Sequence, residues 1–301
     1  MPLKLLNKHP LAVLAVGIVG IALSSICVRY STAPSAVTAA WRLLWAVALL
    51  TPVVLGNRSV RKELFSLDRK TVILSCISGV CLAAHLALWF ESLQHTTVAA
   101  STTIVCTEVI WVALGYWLFQ KGKLSLHAIL AIAITLAGSI TIALSDFGKA
   151  GNHLYGDVLA LVAAMVEAGY TLIGKKVRKT VSTTSYTYVV YAACALTLLL
   201  TCLFQGHSLV GNDNSAIIAG FLLALFSTIL GHSLFSWCLK FFSPSFVSSA
   251  KLCEPVVAAI IAIFAFSEIP GALLVIGGVL ILGGVFYYSR IERKEESHEV
   301  S

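Results

Sequence analysis

Five ionisable side chains stand inside long apolar runs: Arg42, Glu108, Glu167, Lys251 and Glu254. A charge at the middle of a membrane span costs roughly 2.5–3.5 kcal/mol on insertion scales, so such residues face a protein interior or a watery cavity. By residue count Glu108, Glu167 and Glu254 fall near the centres of their runs, with Lys251 one turn from Glu254. Lys251 and Glu254 are three apart, share a helix face and could pair. Glu108, Lys251 and Glu254 around one cavity would suit a zwitterion such as an amino acid. A glutamate there could also take up and release a proton, coupling solute movement to protons. The competing reading is a fixed ion pair between helices that serves assembly alone.

The remaining candidates are more easily explained by packing. Arg42 lies about two turns inside its run, near enough to snorkel to the interface, or else to attract an anion or act in gating. His85 and His232 could contact substrate or protons, or each could simply satisfy a helix–helix hydrogen bond. Trp89, with Trp41 and Tyr170, could form an aromatic wall, whereas Trp45, Trp117, Trp237, Tyr287 and Tyr288 read as interfacial belts. Pro255 follows Glu254 directly; it frees a carbonyl and can act as a hinge or merely as a packing kink. Gly277–Gly278 and Gly283–Gly284 allow close helix approach, within the chain or across a homodimer. The eight cysteines fall in apolar runs without CxxC or metal spacing, so neither disulfides nor a metal site is expected.

These side chains require membrane helices to position them. The chain has 301 residues, 58% hydrophobic and 12% charged, about half the charge of a soluble domain. Runs of spanning length are Leu11–Val28, Ser35–Leu55, Thr71–Leu93, Thr97–Phe119, Ser125–Ser145, Asp157–Gly174, Thr184–Phe204, Ser215–Leu239, Ser243–Ser267 and Gly271–Tyr288. Each is expected as a continuous helix, since lipid satisfies no backbone hydrogen bond. The first reads as a signal anchor with no cleavage site behind it. With the N-terminus in the cytoplasm, 17 of the 21 basic residues fall on that side and only Arg29 and Lys149 on the other. Ten spans with both termini inside satisfy the positive-inside rule. The net charge of +7 therefore reports orientation, and no nucleic-acid partner is expected.

An offset of 146 residues lays Leu93, Glu108, Ala113, Leu136 and Gly138 on Leu239, Glu254, Ala259, Leu282 and Gly284. Glu167 has no charged counterpart; the matching position is Ile21. Five spans per copy is an odd number, so the second copy enters from the opposite side, as in the inverted-topology repeats of secondary transporters. The expected fold class is an all-α membrane protein of about ten transmembrane helices in two five-helix inverted repeats, residues 1–146 and 147–290, with a charged cytoplasmic tail over 291–301.

Ala84–Ser101, Leu230–Glu254 with Pro255, Pro34–Arg42 and Phe264–Gly284 resemble the EamA repeats of the drug/metabolite transporter superfamily across nearly the whole chain. The first copy departs from the second at Val109, opposite Pro255, and at Gly122–Lys123, opposite Glu268–Ile269. The resemblance implies a plasma-membrane transporter of small metabolites, often an exporter. An enzyme is not expected, because HExxH, GxSxG and Walker A patterns are missing, and a pump would need a nucleotide site of its own. A channel would more naturally show a filter or rings of one charge. No cofactor is expected. The expected partners are a small-molecule substrate, the lipid bilayer and protons, with a homodimer as a further option. Amino acids or related compounds moved outward by alternating access are the first expectation. Multidrug or toxic-cation efflux, or an uncoupled facilitator, is the alternative.

Overall fold

The computed structural model describes residues 9–29, 31–96, 101, 104–120, 124–144, 154–211, 214–254, 256–257, 260–261 and 271–300, excepting the side chains of 25, 26, 29, 120, 143, 274 and 292–300. Among them every regular element is helical. The α-helices are α1 (Pro10–Ala22), α2 (Ser24–Arg29), α3 (Ser35–Gly56), α4 (Arg58–Phe65), α5 (Arg69–His95), α6 (Glu108–Gln120), α7 (Leu126–Leu144), α8 (Leu154–Val177), α9 (Thr183–Phe204), α10 (Ser215–Leu223), α11 (Ser233–Cys238), α12 (Pro244–Lys251) and α13 (Ala272–Val300). A π-helix, Ala224–His232, joins α10 to α11.

Among the described residues five helices are long and apolar enough to cross a membrane: Ser35–Gly56, Arg69–His95, Leu154–Val177, Thr183–Phe204 and Ser215–Cys238. Four shorter apolar helices accompany them. Polar residues mark where helices start. The Asp68, Ser182 and Ser243 side chains accept hydrogen bonds from the amides of Thr71, Ser185 and Phe246, satisfying donors that a helix N-terminus leaves open. Inside the spans, hydroxyls such as Thr51, Ser75, Thr135 and Thr197 donate to carbonyls one turn back, which satisfies those donors within the helix.

Continuity fails at four of the expected spans. The first bends at Leu23, although hydrogen bonds from the Leu23 and Cys27 amides carry across the bend. The fourth tightens at Thr107, whose amide and hydroxyl both return to the Ile104 carbonyl. The eighth passes through the π-helix. The ninth leaves α-helix after Lys251, where Leu252 and Cys253 make three-residue turns to Ser249 and Ala250. At the other extreme, α13 continues as helix to Val300, well past the apolar stretch that ends at Ile291. Pro255 lies outside the described residues, as does Glu268.

The core divides into two clusters, and each draws on both halves of the sequence. One joins α3, α5, α8 and α9 through Leu43, Phe90, Tyr186 and Tyr191. The other joins α1, α6 and α7 with α11, α12 and α13 through Leu14, Val109, Phe246 and Ile281. Glycines bring α7 and α13 into close backbone contact. A Cβ on Gly138 would lie 2.7 Å from the Gly277 carbonyl, one on Gly277 2.6 Å from the Gly138 carbonyl, and one on Gly284 3.0 Å from the Ala131 carbonyl. Only hydrogen fits at these positions. Gly277 and Gly284 thus serve an intrachain contact, while Gly283 faces open space.

Polar ties close both ends of the bundle. At one end Glu63 on α4 accepts from the Ser182 amide (2.9 Å), from the Ser182 hydroxyl, and from the Ser185 hydroxyl (2.6 Å). Beside it, Arg178 donates to the carbonyls of Ser236 (3.0 Å) and Val181, and Lys175 donates to the Phe242 carbonyl (2.7 Å). Partial burial acts to raise the Glu63 carboxyl pKa, but the serine hydrogen bonds and the Arg178 charge outweigh it and hold the group below the ordinary carboxylate value. Burial brings Arg178 down to about 10, which leaves it charged at neutral pH. At the other end the Thr32 amide donates to Ser215 Oγ (3.1 Å), Trp41 Nε1 to the Leu209 carbonyl (3.2 Å), and Thr96 to Asp157 (2.7 Å).

Candidate functional site

A cavity of about 70 Å³, partly continuous with the outside, lies between the two core clusters. Arg42, His85, Trp89, Glu108, Glu167, His232, Lys251 and Glu254 all line it. The sequence had distributed these eight residues over six separate spans.

Lys251 organises the charges. Its ammonium donates to Glu108 Oε1 (3.2 Å) and Oε2 (3.3 Å) and to Glu167 Oε1 (2.8 Å), and stands 5.6 Å from the centre of the Phe235 ring. The expected pairing along one helix face, Lys251 with Glu254, is not what forms. The break after Lys251 alters the register, and the lysine reaches across to two other helices instead. Glu108 also accepts from the hydroxyls of Thr171 (3.2 Å) and Ser248 (3.0 Å). Glu167 is less well served: Oε2 is buried without a hydrogen bond, 3.9 Å from His85 Nδ1. His85 Nδ1 is 3.1 Å from the Ala163 carbonyl, which can only accept, so Nδ1 carries a proton. The His85 ring stacks on Trp89 at 6.0 Å.

Arg42 does not snorkel. It is 1% exposed and donates from Nε to Thr228 (2.8 Å) and from a terminal nitrogen to Ser227 (3.0 Å). Both hydroxyls belong to the π-helix, which widens the eighth span and turns Ser227, Thr228 and His232 together toward the interior. Such π segments recur where a helix serves a site. His232 Nδ1 and Trp89 Nε1 are buried with no partner. Of the other suggested aromatics, Tyr170 sits behind the wall, its hydroxyl with Ser236 (3.0 Å) and its ring against His232, while Trp41 belongs to the end tie.

Of the two helix breaks, the one at Thr107 is absent from the sequence reading, while the one at Cys253 falls just before Pro255, where a kink was expected. Thr107 and Cys253 occupy matching positions at the 146-residue offset, and each immediately precedes a cavity glutamate. Interrupted helices expose backbone beside the site, the arrangement found at substrate sites of membrane carriers. Sequence reasoning also missed Thr171, Ser248, Ser227 and Thr228. Thr171 is one turn beyond Glu167 and Ser248 three residues before Lys251, so the helical spacing of hydroxyls around the charges was the available signal.

No group of three or more His, Cys, Asp or Glu among the described residues could hold a metal ion. The cavity holds both signs of charge and unpaired polar atoms of both hydrogen-bonding kinds, with an apolar remainder supplied by Ile21, Leu86, Val105 and Leu252. Sites that hold small polar solutes combine an apolar lining with a few convergent polar groups in this way.

Known proteins agree on the class. An uncharacterized transporter of Archaeoglobus fulgidus is 26% identical over 251 residues, 82% of this chain and 84% of its own length. Two uncharacterized transporters of Bacillus subtilis, YwfM and YyaM, are 25% and 24% identical, covering 75% and 86% of this chain and 76% and 88% of their own. A solved crystal structure shares the fold at a TM-score of 0.77 and 18% identity, covering 96% of this chain and 99% of that one. The sequence profile of the EamA-like transporter family matches twice, over residues 8–144 and 154–290, and the chain belongs to that family.

Proposed function

We propose that the protein is a secondary active transporter that carries small metabolites, amino acids or related compounds, outward across the plasma membrane. The observation that carries this reading is the central cavity with both signs of charge, set between hydrogen-bonded ties at the two ends of the bundle. A carrier needs such a site, with breakable closures on either side, whereas a channel needs a continuous path. Alternating access opens the Glu63–Ser182 end and the Thr32–Ser215 end in turn.

The architecture belongs to the same proposal: ten spans in two inverted repeats with both termini cytoplasmic. Six pairs of cavity residues stand 146 positions apart, namely Ile21 and Glu167, Leu86 and His232, Trp89 and Phe235, Val105 and Lys251, Cys106 and Leu252, Glu108 and Glu254. The contact of Gly138 with Gly277 becomes, under the same offset with the halves exchanged, the contact of Gly284 with Ala131. An axis through the cavity and the α7–α13 contact accounts for both. Efflux of organic cations is the second reading, favoured by three cavity carboxylates against two fixed cations.

Reconstitution in liposomes holding a pH-sensitive dye tests this. Pools of amino acids, organic cations and sugars are presented with and without a proton gradient, beside the Glu254→Gln and Lys251→Met proteins. Solute-dependent proton flux lost in both variants supports a coupled carrier. Solute movement without proton flux, unchanged in both variants, would reduce these charges to structural pairs and the protein to a facilitator.

A further inference from the structure

The two paired glutamates are treated unequally. Glu108 has a built-in ammonium, Lys251, which arrives from the facing interrupted helix and lies against the Phe235 ring. Glu254 makes no hydrogen bond or ion pair to any described residue. The 146-residue offset identifies what surrounds the matching place beside Glu254. Val105 stands for Lys251, Trp89 for Phe235 and Ile21 for Glu167, and all three line the cavity. By that correspondence the place is expected to hold a carboxylate and an aromatic face but no cation, because valine has no amine to supply. Indole offers a stronger face to a cation than phenyl does. Glu254 is half-buried at the cavity wall, and a ligand that brings the missing charge supplies its carboxylate with a charge-assisted partner.

We infer that Glu254 and Trp89 form the seat of a primary ammonium group on the transported solute, which takes beside Glu254 the place that Lys251 holds beside Glu108. This rests on the carrier reading above and narrows it: the solutes are small primary amines and amino acids, not carboxylates or sugars without an amine. Val105 is the position that keeps the seat open.

The test uses the purified full chain in detergent. Thermal shifts are recorded with n-butylammonium, butyrate and 2-aminopentanoate, on the wild type and on Val105→Lys, Val105→Met and Glu254→Gln. The wild type should be stabilised by both amines and not by butyrate. Glu254→Gln should weaken apparent amine affinity roughly tenfold or more. Val105→Lys should abolish the amine response, with Val105→Met retaining it. With no ligand present, Val105→Lys should melt higher than Val105→Met, and this difference should vanish when Glu254→Gln is added. Failure of the amines to stabilise the wild type overturns the inference, as does an equal response to butyrate or a full response in Val105→Lys. Liposome transport of a solute without an amine would leave the carrier standing and remove only the ammonium seat.

Discussion

Lys251→Met is the most informative single change, because its cost is unevenly divided between two carboxylates. Methionine keeps the length and flexibility of the stem and removes a charge lying 2.8–3.3 Å from three carboxylate oxygens. Removing one partner of a buried ion pair costs about 3–5 kcal/mol. Glu108 keeps two hydroxyl donors, Thr171 and Ser248, each worth about 1.5–3 kcal/mol to a charged group. Glu167 keeps none among the described residues; its Oε2 was already unpartnered and its Oε1 relied on the lysine. The loss should therefore fall chiefly on Glu167. Adding Glu167→Gln to Lys251→Met should restore roughly 2 kcal/mol or more, and adding Glu108→Gln less than half of that. Reversible unfolding in mixed detergent and SDS micelles reads these differences directly. Equal or reversed recoveries, or a Lys251→Met loss under roughly 1 kcal/mol, would refute the assignment of Lys251 as the charge shared by both glutamates.

Three further outcomes follow from contacts elsewhere in the molecule. Gly138→Ala and Gly277→Ala should each lower stability by about 1–3 kcal/mol through overpacking against backbone. Gly283→Ala, which meets nothing within 4 Å, should be neutral or stabilising by up to about 1 kcal/mol; the same unfolding assay separates them. Thr228→Val should cost about 1.5–3 kcal/mol by removing a hydrogen bond to buried Arg42, and Ser227→Ala with Thr228→Val should cost more than either alone. Glu63→Gln should lower the melting temperature at neutral pH. The folded pKa of Glu63 lies below its ordinary 4.5, so the wild-type advantage is full above that value and disappears as pH falls through the lowered one. Melting curves at pH 7 and near pH 3.5 check the sign.

The apolar runs and the offset between halves were legible because membrane helices need about twenty apolar residues and because a charge in such a run is conspicuous. Five of the eight candidate cavity residues were visible for that second reason, His85 and His232 as polar rings in apolar runs, and Trp89 only as a candidate for an aromatic wall. Their pairing was not. Lys251 and Glu254 share a helical spacing that suggests a partnership, but the break at Leu252–Cys253 and the facing Glu108 redirect the lysine. Arg42 was ambiguous because the residues that hold it, Ser227 and Thr228, are 185 and 186 positions away on a π-helix that no sequence period announces. The interruption at Thr107 was equally invisible, since no proline or glycine stands beside it, whereas Pro255 gave a sequence signal for the one at Cys253.

Those long separations also set a schedule for biogenesis. The hydroxyls that receive Arg42 are translated 185 and 186 residues after it, and the ammonium that neutralises Glu108 comes 143 residues after its partner. At about 5–20 residues per second, each early charge waits roughly seven to forty seconds for its complement. A ribosome that stalls near residue 150 leaves a fragment with an orphan guanidinium and an orphan carboxylate in lipid, and those are the features by which a membrane protease or chaperone would distinguish it from the finished transporter.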